Sequence, residues 1–305
     1  MVFFKNMNNR LLKDTLYILA IVSSMILIKQ FCYKKTDGFA LYKILSSLSY
    51  HQDWEPASSA ELENTALSEI LNQPFYYLAK GAQSYVFASQ DGTTVIKFFR
   101  LYHLRPPLWL SFLAMPPALQ SYKLSKMIDK RNELAKDFTS YKIAFEEMKE
   151  ETGLIYLHLN KTSHLKKHLK IYDKIGIAYE LDLDEMEFLV QKRATLVYPS
   201  IDALMKAHAP EDAKEAISAL IQLLKYRCEK GIFDKDPDLN TNFGFLDNKA
   251  LQIDIGRFRR ETLSPYPNTY RDEIIRITDN FRQWLDARYP MLSEHLAAEI
   301  QKIPV

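Results

Sequence analysis

Cysteine is almost absent, with Cys32 and Cys228 the only two in 305 residues. They form no Cys-x-x-Cys and share no ligand-type spacing with histidine, which excludes a disulfide framework and a structural zinc centre. Seven histidines are scattered, and the one close pair, His164 and His168, falls in a Lys-rich stretch that reads as solvated. Excess charge of either sign is also missing. Forty basic residues against 38 acidic leave only +2, so no whole-molecule field points to a nucleic-acid partner, and partners have to be argued from local sites. What the chain does have is apolar content. At 47% hydrophobic it excludes a mostly disordered protein and can bury the core of one large or two small domains.

The first long apolar run is 15–28, preceded by Lys5, Arg10 and Lys13 and closed by Lys29. It is shorter than the about 20 residues of a full bilayer span. Snorkelling by Lys13 and Lys29, with Phe31 and Tyr33 at the interface, extends it. No small-residue cleavage pattern follows, so 1–35 is expected to be an uncleaved membrane anchor, with a signal-like or buried helix as the alternatives. Basic residues on both flanks leave its orientation open. Residues 36–74 read as a helical connector, with a short amphipathic segment at 40–49 and a capping box at Ser58 and Glu61.

From Phe75 the pattern turns to strands. An Asp91-Gly92 turn joins two of them into a hairpin, because glycine there supplies the positive φ a tight turn needs. Residues 101–120 are apolar and twice interrupted by Pro-Pro, which rules out a continuous helix. A long helix is expected to follow to about Thr152, with Leu134, Phe138, Tyr141, Phe145 and Met148 on one face. Strands come next at 154–159, 169–172, 177–183 and 187–192, then a break at Tyr198-Pro199. Ser200 is placed as the cap of a short helix, and 211–229 as a strong helix with Cys228 on its buried stripe. Two helical stretches, about 270–288 and 292–302, close the chain.

Most candidate chemistry is concentrated in 230–258. Asp234, Asp236, Asp238, Asn240 and Asn242 share a Pro-containing loop, and two short strands then deliver Asp254 ahead of Ile255-Gly256. Each part alone is ordinary turn chemistry. Their order, however, resembles the catalytic segment of the protein-kinase-like superfamily, with Asp236 and Asp254 eighteen positions apart. The early hairpin is similar to that superfamily's nucleotide-binding turn. Of its three glycines only Gly81 is kept, Ala79 and Ser84 standing for the others, with Val86 and a strand-borne Lys97 following.

The resemblance covers roughly 75–300 and implies an α+β, bilobal protein-kinase-like fold. Its N-lobe (75–198) would be an antiparallel sheet with one long helix, and its C-lobe (199–305) short and mainly helical, the whole preceded by the apolar N-terminal helix. It also implies an ATP- and Mg2+-dependent phosphotransferase acting on a hydroxyl of a small molecule, lipid, glycan or protein. Asp236 would align the acceptor and Lys97 would neutralise phosphates. Gly81, Ser84 and Val86 would cover the nucleotide, Glu147 would pair with Lys97, Glu133 and Glu151 being the alternatives on the same helix, and Asn242 and Asp254 would hold the metal, Asn240 being the alternative to Asn242. Use of ATP would place the main domain in the cytosol. The departures are specific. Asp234-Lys235-Asp236 stands for His-x-Asp, the Asp-to-Asn spacing is six where five is usual, and no Ala-Pro-Glu appears. The short C-lobe resembles those of small-molecule, lipid and lipopolysaccharide kinases. The rival reading is a silent pseudokinase-like module that binds nucleotide or a partner.

Overall fold

The computed structural model describes residues 2–46, 48–56, 67–101, 117–260 and 268–303. The capping box at Ser58 and Glu61 and most of the Pro-Pro stretch lie outside them. The N-terminal helix α1 (Val2–Thr36) extends the apolar run at both ends, since its polar flanks contain no helix breaker. Its segment Lys13–Thr36 is long and apolar enough to cross a membrane and none of it is buried against the rest of the chain. At a rise of 1.5 Å per residue that segment spans about 36 Å. The helix stops where Asp37 and Gly38 turn left-handed, at φ 50° and 70°. A side chain at position 38 would meet the Tyr33 ring at 2.4 Å, so only glycine closes this end.

Strands β1 (Phe75–Lys80), β2 (Ser84–Ser89) and β3 (Thr94–Phe99) form a meander. They are joined by β4 (Leu154–His158), β5 (His168–Tyr172), β6 (Ala178–Asp182) and β7 (Phe188–Lys192) in one sheet of order β4-β7-β3-β2-β1-β5-β6. The pairs are antiparallel except β1 with β5, which run parallel, so the β5–β6 hairpin is an addition on the β1 edge. The other five strands have the order of a kinase-like N-lobe sheet.

Because side chains alternate along a strand, the two faces of this sheet acquire different cores. Phe75, Tyr85, Phe87, Ile96, Phe98 and Phe188 point to the back face and pack with Phe39, Ile44, Leu67 and Leu71. The connector is thus part of the N-lobe core. Leu41–Lys43 form a 3-10 turn where the sequence suggested a short amphipathic segment at 40–49, Phe39 and Ile44 being drawn individually into the sheet's back face; a second 3-10 turn follows at Gln52–Trp54, and 67–70 are helical. The front face packs Phe99, Leu157 and Leu189 against helix α2 (Pro117–Glu147), through Phe138, Tyr141 and Phe145. A short turn of helix, α3 (Lys149–Thr152), leads into β4.

Beyond β7 the chain passes through β8 (Thr195–Leu196) into α4 (Val197–Lys206), so Tyr198 and Pro199 sit in the first turn of that helix and do not break the chain. Proline is tolerated there because first-turn N–H groups have no intrahelical partner. Ser200 is consequently inside the helix, its cap position being Leu196. Helix α5 (Pro210–Glu229) buries Ala213, Ile217, Leu220, Leu224 and Cys228, and burial pushes the Cys228 thiol up to about 11, an unreactive core position. The remaining elements are β9 (Ile232–Asp234), the hairpin β10 (Phe243–Leu246) and β11 (Lys249–Gln252), β12 (Phe258–Arg260), α6 (Asn268–Arg288) and α7 (Pro290–Gln301). The fold is α+β and protein-kinase-like: a sheet lobe with one long helix over a mainly helical lobe.

Candidate active site

The alternation that sends Phe87 and Phe98 to the back sends Ser84, Val86 and Lys97 to the front, where Val86 and Lys97 are direct cross-strand partners. The β1–β2 loop is tightened by Gly81 N–H donating to Ser84 O at 2.9 Å. Arg100 pins it from outside, Nη1 donating to the carbonyls of Gly81 at 3.1 Å and Ala82 at 2.8 Å. Below the sheet, β9 and the β10–β11 hairpin bracket the acidic loop. Asn242 O accepts from Ile253 N at 2.8 Å and from Asp254 N at 3.3 Å, which ties the two segments side by side. Asn242 Nδ2 donates to Asp236 O at 2.7 Å.

Between these parts lies a cleft of about 830 Å³, a size suited to a cofactor or small ligand. Gly81, Ser84, Val86, Lys97, Asp236, Asn242 and Asp254 all line it. Lys97 Nζ donates to Ile253 O at 2.6 Å, immediately before Asp254. Burial lowers the Lys97 pKa and the Asp254 charge opposes that shift. Asp254 and Asp236 are exposed to the cleft, and Asp254 Oδ1 takes a long bond of 3.4 Å from Gly256 N. Asn240 is exposed, does not line the cleft, and gives its N–H to Asp238 Oδ1 at 2.9 Å.

Glu147 is elsewhere. It forms an ion pair with Arg260 and is absent from the cleft lining, so the expected pairing with Lys97 is corrected. The reason is axial position: Glu147 is in the last turn of α2, whereas Tyr141, which lines the cleft, lies about 9 Å earlier along the helix, one turn after Asp137. These two residues were not among the sequence candidates, which were restricted to glutamates. Tyr141 OH donates to Gln83 Oε1 at 2.9 Å, bringing the glycine-bearing loop down onto α2. Gly256 completes the contact, since a Cβ there would stand 1.9 Å from Gln83 Oε1. Burial pushes the Asp137 carboxyl up to about 6, with Glu133 adding to the shift, while Arg257 and Gln83 oppose it. An i, i+4 pair of Asp and Tyr on the apolar stripe was the available signal.

Asp234, standing where the superfamily has histidine, holds the loop from within. Its Oδ1 accepts from Asp236 N at 3.0 Å and its Oδ2 from Gln252 Nε2 at 2.6 Å. Gln252 Oε1 in turn accepts from Arg227 Nη1 at 2.7 Å, and all three side chains are buried. Burial raises the Asp234 pKa, opposed by the Asp236 N–H and the Arg227 charge. Among the described residues Arg227 Nε and Nη2 have no hydrogen-bond partner, so there Arg227 is tied into the core by one bond and its charge.

A hard divalent cation is served by oxygen donors, and magnesium in phosphotransferase sites is held by one or two carboxylates together with substrate phosphates. Asp254 and Asn242 fit that role as a pair of adjoining oxygen donors in the cleft. Among the described residues there is no cluster of three or more His, Cys, Asp or Glu side chains able to hold a metal, so phosphate oxygens would complete the shell.

No protein-family model matches the chain, and no curated protein matches it by sequence. Solved structures do. WbdD, described as a bifunctional kinase-methyltransferase, is 15% identical with TM-score 0.36, over 77% of this chain and 48% of that one. The ROP18 kinase domain in complex with AMP-PNP and sucrose is 13% identical with TM-score 0.34, over 62% and 52%. Rv3197 of Mycobacterium tuberculosis, in complex with erythromycin, is 12% identical with TM-score 0.31, over 93% and 74%. The chain spans about half the length of the first two. At such identities and TM-scores, the fold assignment rests on the strand order and the two-lobed arrangement described above.

Proposed function

We propose that the chain is an ATP- and magnesium-dependent phosphotransferase acting on a hydroxyl, tethered to a membrane by α1 with its main domain in the cytosol. One observation carries the reading: Lys97, Asp236 and Asp254, remote in sequence, line a single cleft beneath the glycine-bearing loop. Phosphoryl transfer needs charge neutralisation and alignment more than covalent help. ATP supplies the phosphoryl group, the acceptor oxygen bonding to the γ-phosphorus as the bond to the β,γ-bridging oxygen breaks and ADP leaves with the electron pair. Lys97 offsets the charge of the inner phosphates. Magnesium, held by Asp254 and Asn242, would offset the outer ones. Asp236 orients the acceptor hydroxyl and takes its proton.

A second reading, a silent nucleotide-binding module, is favoured by the Lys97 ammonium resting on the Ile253 carbonyl with Glu147 committed to Arg260. Thermal unfolding with ATP and Mg2+ against ATP and EDTA separates the two. Metal-dependent stabilisation that disappears in Asp254→Ala supports the enzyme, and metal-independent stabilisation supports the silent module. No response to nucleotide in either condition removes both.

A further inference from the structure

The end of α1 is fastened to the N-lobe without slack. Lys80 Nζ donates to Tyr33 OH and lies 4.6 Å from the Tyr33 ring centroid. Asp37 accepts from Lys174 Nζ and from Tyr77 OH, both at 2.8 Å, and these two bonds hold its pKa down, Lys174 contributing most. Gly38 O accepts from Tyr85 OH at 2.8 Å, and Phe39, three residues past the helix, is already inside the back-face core. A chain with so many fixed points between 33 and 39 holds the lobe at one height and orientation relative to the helix.

Lys80 is also part of the cleft lining, next to Gly81. One residue therefore joins the end of a membrane-length helix to the mouth of the site. The chemistry around this junction is interfacial. Residues 29–43 hold Lys29, Lys34, Lys35 and Lys43 against the one carboxylate of Asp37. In the β5–β6 turn, directly after Lys174, Ile175 and Ile177 are 53% and 48% exposed, and Tyr42 beside Lys43 is 55% exposed. Lysines interleaved with exposed apolar side chains at the end of such a helix suit a surface of anionic head groups, where ammonium groups meet phosphates and apolar side chains enter the boundary layer.

We propose that this clamp seats the mouth of the cleft on the bilayer crossed by α1, with Lys43, Lys80 and Ile175 among anionic head groups, so that the acceptor hydroxyl is carried by a membrane-resident molecule. The seating stands on the clamp alone, whereas the acceptor part rests on the phosphotransferase reading above.

The test uses the full chain with Cys32→Ser, reconstituted in phosphatidylcholine vesicles with phosphatidylglycerol and a head-group nitroxide lipid. A fluorophore is placed through Ile175→Cys or, in the helical lobe, through the exposed Glu294→Cys on α7. Nitroxide quenching several-fold stronger at 175 than at 294, and weakened when phosphatidylglycerol is omitted, is the expected result. Equal quenching at the two positions overturns the seating, whatever the nucleotide response. With γ-labelled ATP and native membranes of the source cells, label is expected in the washed, lipid-extractable fraction. Label confined to the aqueous fraction overturns the membrane-resident acceptor while leaving the phosphotransferase reading intact. Strong quenching with no thermal response to ATP removes that reading and the acceptor with it.

Discussion

The two faces of the seven-stranded sheet are built from the same strands and have opposite characters. The back face is aromatic and closed: Phe39 meets Tyr85, Phe87 and Tyr179 edge-on, with centroids 5.1 to 5.7 Å apart. The front face ends in a polar cleft, with the Lys97 ammonium, the exposed carboxylates of Asp236 and Asp254 and the Asn242 amide among its lining groups. The first face supplies rigidity and the second leaves polar groups without full partners, so substitutions on the two should separate stability from activity.

The sharpest separation is expected at Asp236→Asn. On the proposed phosphotransferase mechanism, in which Asp236 takes the acceptor's proton, turnover should fall about 10²–10⁴-fold, with the urea midpoint unchanged. A comparable fall in the midpoint would mean that the loop and the core are one unit. Phe39→Ala should do the reverse, costing about 3–5 kcal/mol in urea unfolding through the cavity it leaves, while nucleotide binding by the folded protein persists.

Glu187 gives a smaller and pH-dependent contrast. It is buried just ahead of β7, where Ser46 Oγ donates to its Oε1 at 2.5 Å and, among the described residues, Oε2 has no partner, and burial raises its carboxyl to about 7. The folded state therefore binds the extra proton between the ordinary carboxylate range and that value. The contribution is fully present at low pH and lost as pH rises through about 7. Glu187→Gln should gain about 3 kcal/mol at about pH 8 and nothing near pH 4, read by denaturant unfolding across that range. The smallest effect is expected at Glu147→Ala. Loss of a largely exposed ion pair with Arg260 should cost under about 1 kcal/mol and leave ATP affinity unchanged. A drop in affinity on calorimetric titration would reinstate Glu147 as a partner of Lys97.

Much of this arrangement was legible along the chain because it is periodic. Alternation at 84–87 and 95–99 marks two-sided strands, the Asp-Gly turn marks the hairpin, and the apolar stripe of 211–229 marks a core helix. Each depends only on a residue's immediate neighbours. The errors fall where the deciding partner is remote. Tyr198-Pro199 looks like a break until β8 is seen to feed the helix directly, and Glu147 looks available until Arg260, more than a hundred positions away, is found beside it. Asp137 and Gln83 gave little sign of their roles because neither belongs to a motif and their significance comes from the turn of helix and loop that they bridge.

Residue order by itself determined the strand and helix pattern, the membrane-length apolar helix and the identities of the charged groups that resemble a phosphotransferase set, since local sterics and hydrophobic periodicity specify those. Only the tertiary structure decided that Lys97, Asp236 and Asp254 share a cleft and that Asp234 is a buried strut for the loop. It also decided that the end of α1 is locked beside the cleft through Tyr33 and Lys80. Those are contacts between distant segments, and they exist only once packing has brought the segments within a few ångströms of one another.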